Sequence, residues 1–294
     1  DLAHDMPKER YITEFGAGPI VLENQGTLGF TGSNANFPNV IFNGNNTIDL
    51  GTGGGVIEVS GEDQFYSTFV GPTSSLTITG SGDFLSNAGY SNIGTINISS
   101  SGGSTARLLM FDNTLNILGN NATVNVYSGG DLDFGATNAT VTNAINLYSG
   151  GALQTRNGNY VFTNVNLPTA GIVTLGSDDV GGGSMTFNGN PLTLTGDLTL
   201  AIGGANSGGQ TLVTLNMNIG GNGGLIDSNG TSFNVTGTSP LILSGTNTYS
   251  GATTITNGGF VEFDGDETGI GSTINVQDGS LQIGSAGSIA STAN

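Results

Sequence analysis

Residues 124–134 read VNVYSGGDLDF, and residues 145–155 read INLYSGGALQT. Tyr148 repeats the place of Tyr127, and Gly150 that of Gly129, at one fixed interval of about 21 residues. In both stretches apolar residues alternate with polar ones, stop at Ser-Gly-Gly, and resume. Two-residue alternation marks a strand with one face buried and one wet. The glycines supply the positive-φ freedom that a sharp turn between strands requires. The echo continues in both directions. Asn166, in Val165-Asn-Leu167, follows Asn146 at nearly the same interval, and residues 255–263 (ITNGGFVEF) repeat the shape. Residues 276–283 (VQDGSLQI) come one interval later still, with the turn shortened by a single position. A unit of about 20–21 residues that reads strand, Gly turn, strand, loop is the signature of a solenoid.

One such unit cannot bury its apolar face alone, whereas stacked units share a continuous interior. The expected fold is therefore all-β, a parallel β-helix (solenoid) with rungs of about 20 residues. From residue 36 to 294 there is room for roughly twelve rungs, a rod on the order of 55–60 Å at the strand spacing of a sheet. A β-sandwich would instead show irregular strand spacing and hairpin turns, without the echo. Asn sits at many strand centres, as in Ile96-Asn-Ile98, Leu115-Asn-Ile117, Val124-Asn-Val126 and Ile145-Asn-Leu147. Its β propensity is poor, but it suits a stack in which identical amides hydrogen-bond from layer to layer.

Composition narrows the function classes. The 294 residues include 52 Gly, 22 acidic and 4 basic residues, no Cys and no Trp, with a formal net charge of −18. Phosphate backbones must be met by Lys and Arg, so nucleic acid is excluded as a partner. Disulfides and cysteine-ligated metals are excluded as well. Disorder is disfavoured by the 35 % apolar content and its regular patterning; collagen is excluded by the absence of a three-residue Gly period. No run approaches the ~18–20 apolar residues of a membrane-spanning helix. No basic–apolar–small leader opens the sequence at Asp1, which fits a removed signal or a piece of a longer protein. Absent cysteine and low positive charge suit a secreted bacterial protein.

Residues 1–35 differ from the rest. The opening DLAHDMPKER is charge-dense and holds Lys8, Arg10 and the sole histidine, His4. Two readings stand: a cap over the open end of the stack, or a docking segment for a neighbouring subunit. Residues 36–294 are assigned to the solenoid. Within it, residues 48–70 are less regular, either a loop leaving the rod or an early rung with a long corner.

Residues 240–265 read PLILSGTNTYSGATTITNGGFVEFDG. They resemble the autotransporter-associated β-strand repeat, whose core is Leu-x-Leu-Ser-Gly-x-Asn-Thr-Tyr-x-Gly-x-Thr-Thr-Ile. The matching positions are Leu241, Leu243, Ser244, Gly245, Asn247, Thr248, Tyr249, Gly251, Thr253, Thr254 and Ile255. The likeness runs on to Ile289 and covers about 240–290. It implies a right-handed β-helix passenger domain carried through the outer membrane of a Gram-negative bacterium by a C-terminal barrel. Such passengers are mostly adhesins and self-associating surface proteins. The amphipathic ten-residue strands of that barrel are not in this sequence.

Catalytic constellations are sparse. A glycoside hydrolase needs two carboxylates across one cleft. Asp131 and Asp133 share the outward face of one strand, where a solvated ladder is the competing reading. Asp178 with Asp179, and Asp264 with Asp266 and Glu267, lie in Gly-rich loops with the hard oxygens that Ca²⁺ takes. Neither set has the spacing of an EF-hand or a tandem Ca²⁺ repeat, so incidental acidic loops compete with a Ca²⁺ site. A Ser-His-Asp triad fails on the position of His4. Arg107 and Arg156, the basic residues inside the solenoid, have no carboxylate cluster nearby in sequence. Tyr127, Tyr148 and Tyr249 follow strands at Gly corners, where exposed rings would stack on sugars or anchor a protein partner; packing over neighbouring turns is the alternative.

The expectation is a non-enzymatic extracellular bacterial surface protein without catalytic residues or cofactor. It would act in adhesion or self-association, with itself or with a glycan or protein receptor as partner. A filament or surface-layer subunit is the second reading, and a glycan-degrading β-helix enzyme the third.

Overall fold

The computed structural model describes residues 75–86, 94–100, 105–110, 122–135, 138–156, 158–176, 183–203, 211–229, 239–270 and 273–289. It also describes strand backbone at 20–21, 26–29, 47–49, 55–59, 62–65, 68–70 and 90–91. All regular structure among these residues is β-strand, and the strands pair in parallel. The parallel β-solenoid read from the sequence is the fold. The chain divides into two compact units, residues 1–133 and 134–294.

In the first unit three ladders run side by side. One takes Ile20–Val21, Thr47–Asp49, Thr68–Val70 and Tyr90–Ser91 in order. The second takes Gly26–Gly29, Gly55–Val59, Ser75–Gly80, Thr95–Ile98 and Thr123–Val126. The third takes Glu62–Phe65, Asp83–Ser86, Ala106–Met110 and the start of Gly130–Phe134. The irregular stretch 48–70 is thus an early rung. Coiling also begins inside the segment set apart as a cap, since Ile20 pairs with Ile48 and Gly26 with Gly55. Residues 1–19 lie outside the described residues.

In the second unit the same scheme recurs. Ala152–Thr155, Gly171–Gly176, Leu198–Ile202, Leu225–Asn229, Thr253–Thr256 and Ile274–Val276 form one ladder. Ala139–Val141, Asn159–Phe162, Gly183–Phe187, Thr211–Leu215, Pro240–Leu243, Gly259–Phe263 and Gly279–Ile283 form the other long one. Shorter pairings fill the third side, among them Ile145–Leu147 with Val165–Asn166 and Leu192–Leu194 with Ile219–Gly221.

The period is not the constant one expected. Thr95 pairs back with Ser75 across a short coil, but forward with Thr123 across a much longer one. Leu198 pairs with Gly171 and with Leu225, so both of its neighbouring coils are long. The reason is physical: a coil is fixed by the register of its strands, and a corner lengthens at little cost in closure entropy. The sequence echoes therefore fell where strands pair across a short coil, as Ile255 does with Val276.

Files of inward side chains make the core. In the first unit Leu76, Ile96 and Val124 line up, as do Ile78, Ile98 and Val126, all fully buried. In the second, Phe162, Phe187, Leu215, Leu243 and Phe263 form one file. Rings stack at its start, with Phe162 and Phe187 centroids 5.3 Å apart, a separation typical of favourable aromatic contact. Every member of that file is fully buried.

Candidate functional site

The outward half of each alternating strand forms files of its own, and these are polar. In the first unit Thr77, Asn97 and Asn125 occupy one register file. The Asn125 amide donates to Asn97 Oδ1 at 2.9 Å, and Asn97 donates to Ser75 Oγ at 3.2 Å. In the second unit Asn166 donates to Asn146 Oδ1 at 2.8 Å. Two more rows run there. Asn159 donates to Asn138 Oδ1 at 2.9 Å and receives the Ser184 hydroxyl at 2.8 Å, while Asn216 donates to Asn188 at 2.7 Å. This is the amide ladder anticipated from Asn at strand centres. Each link ties a polar side chain of one coil to its counterpart on the next, so the outer row is held in place by its own amides and hydroxyls.

The tyrosine corners separate into two kinds. Tyr127 is 36 % exposed in the first unit and Tyr148 is 43 % exposed in the second. Tyr148 precedes a turn at which Gly150 N–H donates to the Ile172 carbonyl and Ser149 Oγ accepts the Ile172 amide. Ile172 itself is exposed, so this corner presents an aromatic and an aliphatic side chain beside hydroxyls. Tyr249 is different. Its ring is fully buried, and its hydroxyl pairs with Thr253 Oγ1 at 2.6 Å. Burial pushes its phenol well above the usual range, with Glu267 adding to the shift.

The acidic candidates do not assemble. Asp178 and Asp179 lie outside the described residues. Asp264 Oδ1 accepts the Ala286 amide, and Asp266 Oδ1 accepts the Thr268 amide and hydroxyl. Those hydrogen bonds hold the exposed Asp266 carboxylate below its ordinary pKa. Glu267 turns inward and is fully buried, away from both; strand alternation sends neighbours to opposite faces. Among the described residues no three Asp, Glu or His side chains converge enough to hold a metal.

Asp131 and Asp133 depart from the solvated ladder expected of them. They alternate with the core residues Leu132 and Phe134, yet they are almost completely buried. Arg107, whose carboxylate neighbours sequence reading missed, stands beside Asp133. Its Nε and Nη2 fork onto Asp83 at 3.0 and 2.5 Å, and Nη1 is 3.6 Å from Asp133 Oδ2. Asp83 lies one coil before Arg107 and pairs with it in register. A search for opposite charges one coil apart would have found the pair.

The stretch 240–267 is explained by packing. Leu241, Leu243, Asn247, Tyr249, Thr253 and Ile255 all face the interior. Asn247 ties three coils together: its Oδ1 accepts the Ile219 amide at 3.0 Å and its Nδ2 donates to Glu267 Oε1 at 2.5 Å. Gly251 lies against the backbone of Gly223, and Gly223 against Gly196, so a methyl at position 251 or 223 would overlap the coil before it. The residues that carry the family likeness are thus corner and core residues of the coil.

No family model, no curated protein and no solved structure matches the chain. The parallel β-solenoid is consistent with autotransporter and adhesin families without being specific to them. No helix among the described residues is long and apolar enough to cross a membrane.

Proposed function

We propose that this chain is a non-enzymatic bacterial surface protein, extracellular and similar in kind to an autotransporter passenger. It acts in adhesion or self-association through the polar outer files of its coils. The observation that carries this reading is the layer-to-layer amide and hydroxyl ladder. The partner meets the same group once per coil, and contacts that are weak singly multiply by repetition. The rows of hydroxyls and amides and the exposed Tyr127 and Tyr148 suit a glycan, a protein receptor or another copy of the chain. The non-enzymatic part is supported by the burial of Asp131 and Asp133, the carboxylate pair on one strand, and by the engagement of Arg107 with Asp83 and Asp133.

At −18 copies repel at low salt. Self-association is expected to rise with ionic strength or divalent cations. Light scattering that stays flat across NaCl and CaCl₂ titrations counts against it.

The second reading is a filament or surface-layer subunit built by end-to-end or lateral packing of parallel coils. Ordered fibres by electron microscopy would favour this reading, and dispersed particles the first.

A further inference from the structure

We propose that Asp227 and Glu267 make the late coils of the second unit pH-responsive: these coils stay closed while the two carboxyls are protonated and open locally when they ionise. The geometry is independent of any titration. Asp227 occupies the inward file Val173, Leu200, Asp227, Ile255, a carboxyl where its neighbours are aliphatic. It is 1 % exposed, and neither oxygen has a well-formed hydrogen bond. Gly259 sits against it so closely that a Cβ there would overlap Asp227 Oδ2. Glu267, likewise buried, receives the Asn247 amide on one oxygen and has no partner on the other.

Among the described residues the groups facing these carboxyls offer no cation. Leu200 and Ile255 flank Asp227 on the adjoining strands, and the Phe260 amide offsets only part of the desolvation. Glu267 faces Asn247 and the Tyr249 phenol, and the neighbouring Asp266 carboxylate opposes its ionisation. Burial pushes Asp227 from 3.8 and Glu267 from 4.5 up to about 7. The sign follows from linkage. Through the window from about pH 4 to about pH 7 the folded coils hold protons that the unfolded chain has released, so stability falls as pH rises through it. Above it the coils carry buried charge without a counter-ion, which a low-dielectric interior disfavours.

The test is hydrogen exchange by mass spectrometry on the full chain from pH 5 to 8.5, corrected for intrinsic rates. Residues 225–229, 253–256 and 259–267 should open more at the upper end, by about a hundredfold for each of the two carboxyls that the opening exposes, tenfold for each pH unit between pH 5 and about 7. Residues 95–98 and 183–187 should change far less. Asp227→Asn with Glu267→Gln should abolish the difference. If that variant does not fold, Asp227→Leu, which continues the aliphatic file, should remove the Asp227 share. A rise of equal size in every coil would assign the effect to the net charge and overturn the proposal. So would an unchanged pH response in the double variant, or in Asp227→Leu.

Discussion

Arg107 shows how a residue acquires meaning only through its register. In sequence it stands without carboxylates; in the fold it forks onto Asp83 and reaches toward Asp133, which is fully buried. The two partners should respond unequally to mutation. Asp83 is partly exposed, so Asp83→Ala is expected to cost no more than about 1 kcal/mol. Arg107→Ala withdraws the nearby cation from a buried carboxylate and should cost about 3 kcal/mol or more. Urea unfolding of both variants checks this, and equal losses would show that Asp133 does not depend on Arg107. Asn was legible at this scale, because a poor strand former placed repeatedly at strand centres needs a partner in the next layer. The burial of Asp131, Asp133 and Tyr249 was not. Alternation tells which face a side chain takes but not whether that face is later covered, and Tyr249 follows its Gly corner just as Tyr127 does while turning inward.

At the scale of the element, glycine does two separate jobs. At Gly129, Gly150 and Gly258 a positive φ makes the turn between strands, which is what the Ser-Gly-Gly echo signalled. At Gly223 and Gly251 it allows backbone to approach backbone between coils, which a single coil's sequence does not reveal. Gly221 combines both demands, with φ of 104° and the Leu194 carbonyl in the place of a Cβ. Gly221→Ala should therefore destabilise the second unit by about 2–3 kcal/mol. Gly196→Ala meets only the Ala170 methyl at 3.1 Å and should cost under about 1 kcal/mol. Thermal unfolding of the two variants compares them, and similar losses would contradict this division of roles. The strands were legible from two-residue alternation, but coil length was not, since corner residues carry no register signal. The long coils from Thr95 to Thr123 and from Leu198 to Leu225 emerge only when the strands are paired.

For the whole chain, winding decides what function is possible. A parallel solenoid repeats its outer side chains from coil to coil, whereas hairpin packing would scatter the same asparagines over unrelated surroundings. The fold class was therefore readable from one echo, and the adhesive or self-associating role rests on the files that the winding creates. The absence of cysteine allows cysteine pairs to be introduced and spin-labelled without background. Asn146 and Asn166 are register partners across a short coil, and Thr186 and Thr214 across a long one, all on outward positions. Adjacent strands of a sheet lie about 4.8 Å apart. The account predicts strong dipolar broadening of the electron paramagnetic resonance spectrum for each doubly labelled pair relative to its single labels. Spectra equal to the sum of the single labels, for either pair, would contradict it.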